Sequence, residues 1–93
     1  MIKSFRDAET EKVFQRRFAA RLPNDIQSVA LRKLRMLSNA TTLNDLRSPP
    51  ANRLEKLRGD REGQYSIRIR EQWRICFSWR DGDAYEVEAT DYH

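Results

Sequence analysis

Cysteine occurs once in this 93-residue sequence, histidine once, and glycine and proline three times each. The lone Cys76 cannot close an internal disulfide, which fits a reducing cytoplasm. There is no histidine pair and no Cys-x-x-Cys spacing to hold zinc, so no metal site is expected. A glycine-rich Walker loop is missing too; Gly59 and Gly63 frame Asp60-Arg61-Glu62 as a turn. No apolar run approaches the roughly 18 residues of a membrane span. The opening Met1-Ile2-Lys3-Ser4-Phe5-Arg6 lacks the apolar centre of a signal peptide. Repeats, linkers and low-complexity tails are likewise missing, so residues 1–93 read as one domain.

What is present is charge and periodicity. The net charge is +4, charged residues make up 34%, and nine aromatic residues argue against disorder. The 28 residues from Arg53 to Arg80 hold eight bases (Arg53, Lys56, Arg58, Arg61, Arg68, Arg70, Arg74, Arg80) against four acids, a surplus equal to that of the whole chain. Seven of the eight are arginine, the side chain suited to bidentate phosphate contacts and to stacking on bases.

Alternation locates a sheet in the same region. Tyr65, Ile67 and Ile69 alternate with Ser66, Arg68 and Arg70, and Trp73, Ile75, Phe77 and Trp79 with Arg74, Cys76 and Ser78. Glu71-Gln72 is a tight reversal, Asp81-Gly82-Asp83 a hairpin turn, and Tyr85, Val87 and Ala89 supply a third apolar set. Apolar side chains must oppose apolar ones. Ile67 therefore faces Ile75 and Arg68 faces Arg74, while pairing Phe77 with Val87 sets Arg74 opposite Thr90, near Asp91, Tyr92 and His93.

Upstream, Met1 to Phe5 reads as a short strand joining the sheet edge. Asp7 opens a helix expected to run to about Leu22, with Phe14, Phe18 and Leu22 as its buried stripe and Pro23 ending it. A second helix to about Asn39 follows, capped by Asn24 or Asp25. Ile26, Val29, Ala30, Leu34 and Leu37 form its apolar face, and Arg32, Lys33 and Arg35 lie outside. Short helical turns are expected around Thr42 to Leu46, and Ser48-Pro49-Pro50 as an extended connector. The sum is an α+β domain, two N-terminal helices packed on a mostly antiparallel sheet of three to four strands.

These residues suit metal-free RNA cleavage. Arginines would stabilise the pentavalent phosphate, and a histidine near its ordinary pKa can move protons at neutral pH. The plain alternatives are a solvated basic face, a frayed terminus at Asp91-Tyr92-His93, and an inert Cys76; a Cys76–His93 dyad is the least favoured reading.

The run Leu54 to Asp60, then Tyr65-Ser66-Ile67-Arg68-Ile69, Trp73-Arg74-Ile75-Cys76-Phe77 and the closing Asp91-Tyr92-His93 together resemble the HigB toxins of the RelE/ParE superfamily. The likeness covers essentially the whole chain and includes Met1-Ile2-Lys3-Ser4-Phe5 and Arg47-Ser48-Pro49-Pro50. It implies a cytoplasmic bacterial enzyme that cuts mRNA on the ribosome and needs no cofactor. A HigA-type helix-turn-helix antitoxin would neutralise it, and operator DNA would be met only through that partner. Carried over by position, Arg58, Arg74, Asp91, Tyr92 and His93 are the catalytic candidates. Glu55, Lys56, Arg61, Arg68 and Arg70 are the candidate RNA contacts. Glu55 stands where some relatives carry a second histidine, which leaves His93 more of the proton transfer, with Glu55 or Asp91 as its partner. Two other functions remain open: a ParE-like toxin that binds gyrase without cutting RNA, and a non-catalytic RNA- or ribosome-binding module.

Overall fold

The expected alternation does build a sheet. In the computed structural model, which describes residues 1–91, strands β1 (Glu55–Lys56), β2 (Gln64–Arg70), β3 (Trp73–Arg80) and β4 (Asp83–Asp91) form an antiparallel sheet in that order. Ile67 faces Ile75, Arg68 faces Arg74, and Arg74 faces Thr90, as the apolar pattern requires. Asp81 and Gly82 both have positive φ, at 51° and 81°, the backbone of a two-residue hairpin turn whose twist matches the flanking strands.

Two irregularities change which side chains share a face. Glu86, at φ 54°, bulges out of β4, so Glu86 and Val87 together oppose Phe77. Beyond the bulge the parity reverses. Ala84, wholly buried, takes the core position expected for Tyr85, while Tyr85 pairs with Ser78 and lies under the Arg80 guanidinium, 4.4 Å from its ring centroid. A second irregularity between Arg68 and Arg70 pairs Arg70 with Trp73. Arg70 thereby leaves the face of Arg68 and reaches Asp25 at the start of the second helix, 3.4 Å away.

Helix α1 (Ala8–Phe14) is half the expected length. Arg16 turns left-handed at φ 62°, and the chain from 17 to 22 is held by side chains from elsewhere. Gln27 accepts from the Ala19 amide and donates to the Ala19 and Leu22 carbonyls, while Glu9 accepts from the Arg21 amide. Those bonds stand in for the lost helical ladder and bury Ala19 and Leu22, leaving Phe18 exposed rather than in a stripe. Helix α2 (Asn24–Asn39) has the expected length. Pro23 precedes it, and neither Asn24 nor Asp25 caps it with a side chain. Ile26, Ala30, Leu34 and Leu37 are buried on its apolar face, Val29 partly so. Lys33, expected outside, is buried too.

The core lies between α2 and the apolar face of the sheet, where Ile67, Ile75, Phe77 and Val87 are wholly buried. The N-terminal segment covers the β4 edge in parallel through Ile2 and Phe5. Farther along that edge the Thr10 hydroxyl accepts from the Ala89 amide. Both contacts satisfy an otherwise open strand edge. Thr42 caps a 3-10 turn (Leu43–Arg47) through a reciprocal capping box with Asp45. A cis Ser48–Pro49 bond then leads into a second turn (Pro50–Asn52) and on to β1. Among the described residues no helix is long and apolar enough to cross a membrane.

Candidate active site on the polar face

Arg74 is the best-anchored charge on the polar face. Its side chain extends from β3 and is only 7% exposed. Nε donates to the Ser66 hydroxyl at 2.7 Å, and Nη2 donates to the Arg53 carbonyl at 2.6 Å and to the Ser66 carbonyl at 3.4 Å. Glu55 completes the grip, its Oε1 3.1 Å from Nη2. A guanidinium held on one edge by four oxygens has few rotamers left to lose when it meets an anion, and its Nη1 makes no bond to another described residue. That is the pre-organisation a phosphate-stabilising group requires.

Around Arg74 the strand pairing assembles a row across the sheet: Glu55 opposite Ser66, Ser66 opposite Cys76, and Cys76 opposite Glu88. Arg61, from the turn Gly59–Arg61, reaches over this row to bind Glu88 Oε1 at 3.0 Å and Gln64 Oε1 at 3.1 Å. Beneath it the Cys76 thiol is wholly buried. Burial raises its pKa, and Glu88 adds to that rise against the opposing fields of Arg61 and Arg74. A covered thiol with a raised pKa suits a filler of the sheet better than a nucleophile; the His93 half of the Cys76–His93 dyad lies outside the described residues.

The other candidates are distributed unevenly. Arg68, half-buried, stands opposite Arg74. Lys56 pairs with Tyr65 and so takes the opposite side of β1 from Glu55. Arg58, exposed, lines an open groove with Lys56, Leu57, Glu62 and Gly63, and its side chain makes no hydrogen bond or ion pair with the Arg74 cluster among the described residues. Arg70 lies away from the cluster, on Asp25. Asp91 pairs with Trp73, one position beyond the Arg74–Thr90 pair, and is exposed at the end of β4. Tyr92 and His93 lie outside the described residues. Sequence reasoning missed Ser66, Glu88 and the Arg53 carbonyl. A serine and a glutamate at polar-face positions were a signal for the first two; nothing in a side-chain pattern marks a backbone carbonyl.

A small two-helix, four-strand domain with a guanidinium locked into its polar sheet face defines a RelE-like class of protein by fold. Two solved structures carry that fold over the full length of this chain. Both are chains of YoeB–YefM complexes from Staphylococcus aureus, with TM-scores of 0.60 and 0.57 at 18% and 22% identity, and 98% of each is covered. The sequence profile described as "RelE-like toxin of type II toxin-antitoxin system HigB" matches residues 3–93, and the chain belongs to that family. Its relatives include toxin HigB-1 of Vibrio cholerae, 40% identical over 90% of each chain. Endoribonuclease HigB of Proteus vulgaris is 36% identical over the whole of both chains.

Proposed function

We propose that this toxin is a ribosome-dependent endoribonuclease that cuts mRNA during translation and is neutralised by a HigA-type antitoxin in the bacterial cytoplasm. The observation that carries the reading is the fixed Arg74 guanidinium with Arg68 opposite and Arg61 on the adjoining row. Three cations on one sheet face favour a phosphodiester and the charge that gathers on it as the 2′-oxygen attacks. The name of the Proteus vulgaris relative, an endoribonuclease, supports the same chemistry. A family of type II toxins supports an antitoxin partner.

In this mechanism Arg74 and Arg58 hold the scissile phosphate. His93 carries the proton transfer, with Tyr92 on a neighbouring base. Glu55, already beside the Arg74 guanidinium, and Asp91 are the carboxylates able to take the 2′-hydroxyl proton. Lys56, Arg61 and Arg68 contact the RNA backbone, while Arg70, turned toward Asp25, contributes little. Mapping new mRNA 5′ ends after induction, beside an Arg74→Ala control, tests the proposal. Cleavage within translated frames that vanishes in the control is the expected result. Intact messages alongside growth arrest would refute it.

A further inference from the structure

Among the described residues Lys33 has no ion-pair partner, and it is buried at 5% exposure on the core side of α2. Its ammonium donates to Asn52 Oδ1. Asn52 is wholly buried as well. Its amide is directed at the Met36 sulfur (3.0 Å) and at the Leu46 and Ser48 carbonyls (3.1 and 3.4 Å). Both ends of the Asn52 side chain are therefore used, and they tie the segment after Pro50 to α2. Burying a lysine without a carboxylate partner is unfavourable, and desolvation, with Arg32 adding to it, holds its pKa below the ordinary lysine value. A medium-sized hydrophobe would pack there at less cost, so a core-building role alone does not account for the residue.

The next residue gives the arrangement its purpose. Arg53 follows in a left-handed conformation (φ 45°, ψ 59°), its amide bonded to the Pro50 carbonyl at 3.1 Å. That conformation turns the Arg53 carbonyl onto Arg74 Nη2, the shorter of the two Nη2 contacts made by the connector and β1. One backbone unit separates the buried anchor from the guanidinium. We infer that Lys33 and Asn52 are positioning residues for Arg74, acting through the Arg53 carbonyl, which their contacts hold against the guanidinium. The inference rests on the ribonuclease reading above for its kinetic consequence, though not for the structural link.

The test uses two variants with different failure modes. Lys33→Met keeps the length and removes the donor; Asn52→Asp keeps an acceptor for Lys33 and loses the donors to Leu46 and Ser48. Each is assayed in a reconstituted translation reaction on a short mRNA, well below its own unfolding temperature. A guanidinium displaced by about 1 Å costs on the order of 100-fold in kcat, with KM held within about twofold. Exchange of the Arg74 Nε proton with water, followed by NMR, should accelerate in both variants. On an Arg74→Ala background neither substitution should lower cleavage further, because the residue they act through is gone. A variant that folds yet shows wild-type kcat and unchanged Nε exchange overturns the inference. So does one that loses the same factor on top of Arg74→Ala. If Arg74→Ala itself cleaves normally, the role of Arg74 in cleavage fails, and if the wild type leaves mRNA intact, the ribonuclease reading fails; in either case the Nε exchange alone decides the positioning role.

Discussion

Arg68 and Arg74 stand directly opposite each other on β2 and β3, yet only Arg74 is tied down. Ser66, Arg53 and Glu55 hold one guanidinium, while the other makes no hydrogen bond or ion pair with another described residue. Opposed like charges cost up to about 1 kcal/mol. A fixed cation facing an adaptable one suits an anionic ligand: on the proposed function, Arg74 would define where the phosphate sits and Arg68 would close on it.

Arg74→Ala should lower RNA cleavage by about 10²-fold or more, the usual loss when a pre-organised transition-state donor is removed. It should also lower stability by about 1–3 kcal/mol, because the buried Ser66 hydroxyl loses its partner. Parallel single-turnover cleavage and urea titrations separate the two effects. His93→Ala should reduce cleavage comparably with no change in the urea midpoint.

Arg68→Ala and Arg70→Ala should differ although the residues are two apart. Arg68 faces Arg74, so its loss should weaken RNA binding and flatten the salt dependence. Arg70 pairs across 3.4 Å with exposed Asp25, an interaction worth about 0–1 kcal/mol, and its loss should leave cleavage close to wild type. Binding curves at two salt concentrations check this.

Phe77→Ala should destabilise the domain by about 3–5 kcal/mol. The ring is wholly buried, 6.2 Å from the rings of both Tyr65 and Trp79, at the β4 bulge. Thermal unfolding of the variant in complex with its antitoxin and alone would measure the loss.

Cys76 should resist alkylation in the native state at neutral pH, since its thiol is buried and its pKa raised. Modification should track global unfolding, and Cys76→Ala should retain cleavage. Rapid labelling of the folded protein would contradict the assignment of Cys76 as a filler.

Asp45 gives a pH dependence with a definite sign. The Thr41 and Thr42 amides, with the Thr41 hydroxyl, hold its pKa below the ordinary value. Its folded pKa is depressed, so its contribution is complete above the unfolded value of about 3.9 and is lost as pH falls through the folded value. Urea midpoints of wild type and Asp45→Asn should differ at pH 7 and converge in acid. A gap unchanged at low pH would show that the capping box contributes through neutral hydrogen bonds alone.

The three-strand meander of β2, β3 and β4, both its hairpin turns and the opposition of Arg68 to Arg74 were legible in the sequence. The short edge strand β1 was not, and Met1 to Phe5 makes only two isolated bridges. Period-two alternation admits only one register that buries the apolar set, and Asp-Gly admits few turns. Local rules also place α2 and its main apolar face. They fail where a distant atom substitutes for a local one. Gln27 and Glu9 replace the helical bonds expected between Gln15 and Leu22. The Ser4 hydroxyl accepts from the Glu86 amide at the bulge that moves Tyr85 to the polar face. Asn52 draws Lys33 into the interior.

The placement of Arg68 and Arg74 together on one sheet face was thus set by the sequence alone. Only the tertiary structure decided which arginine is immobile. A guanidinium is fixed by oxygens that converge from three segments, and two of the four that hold Arg74 are backbone carbonyls that carry no residue-specific mark.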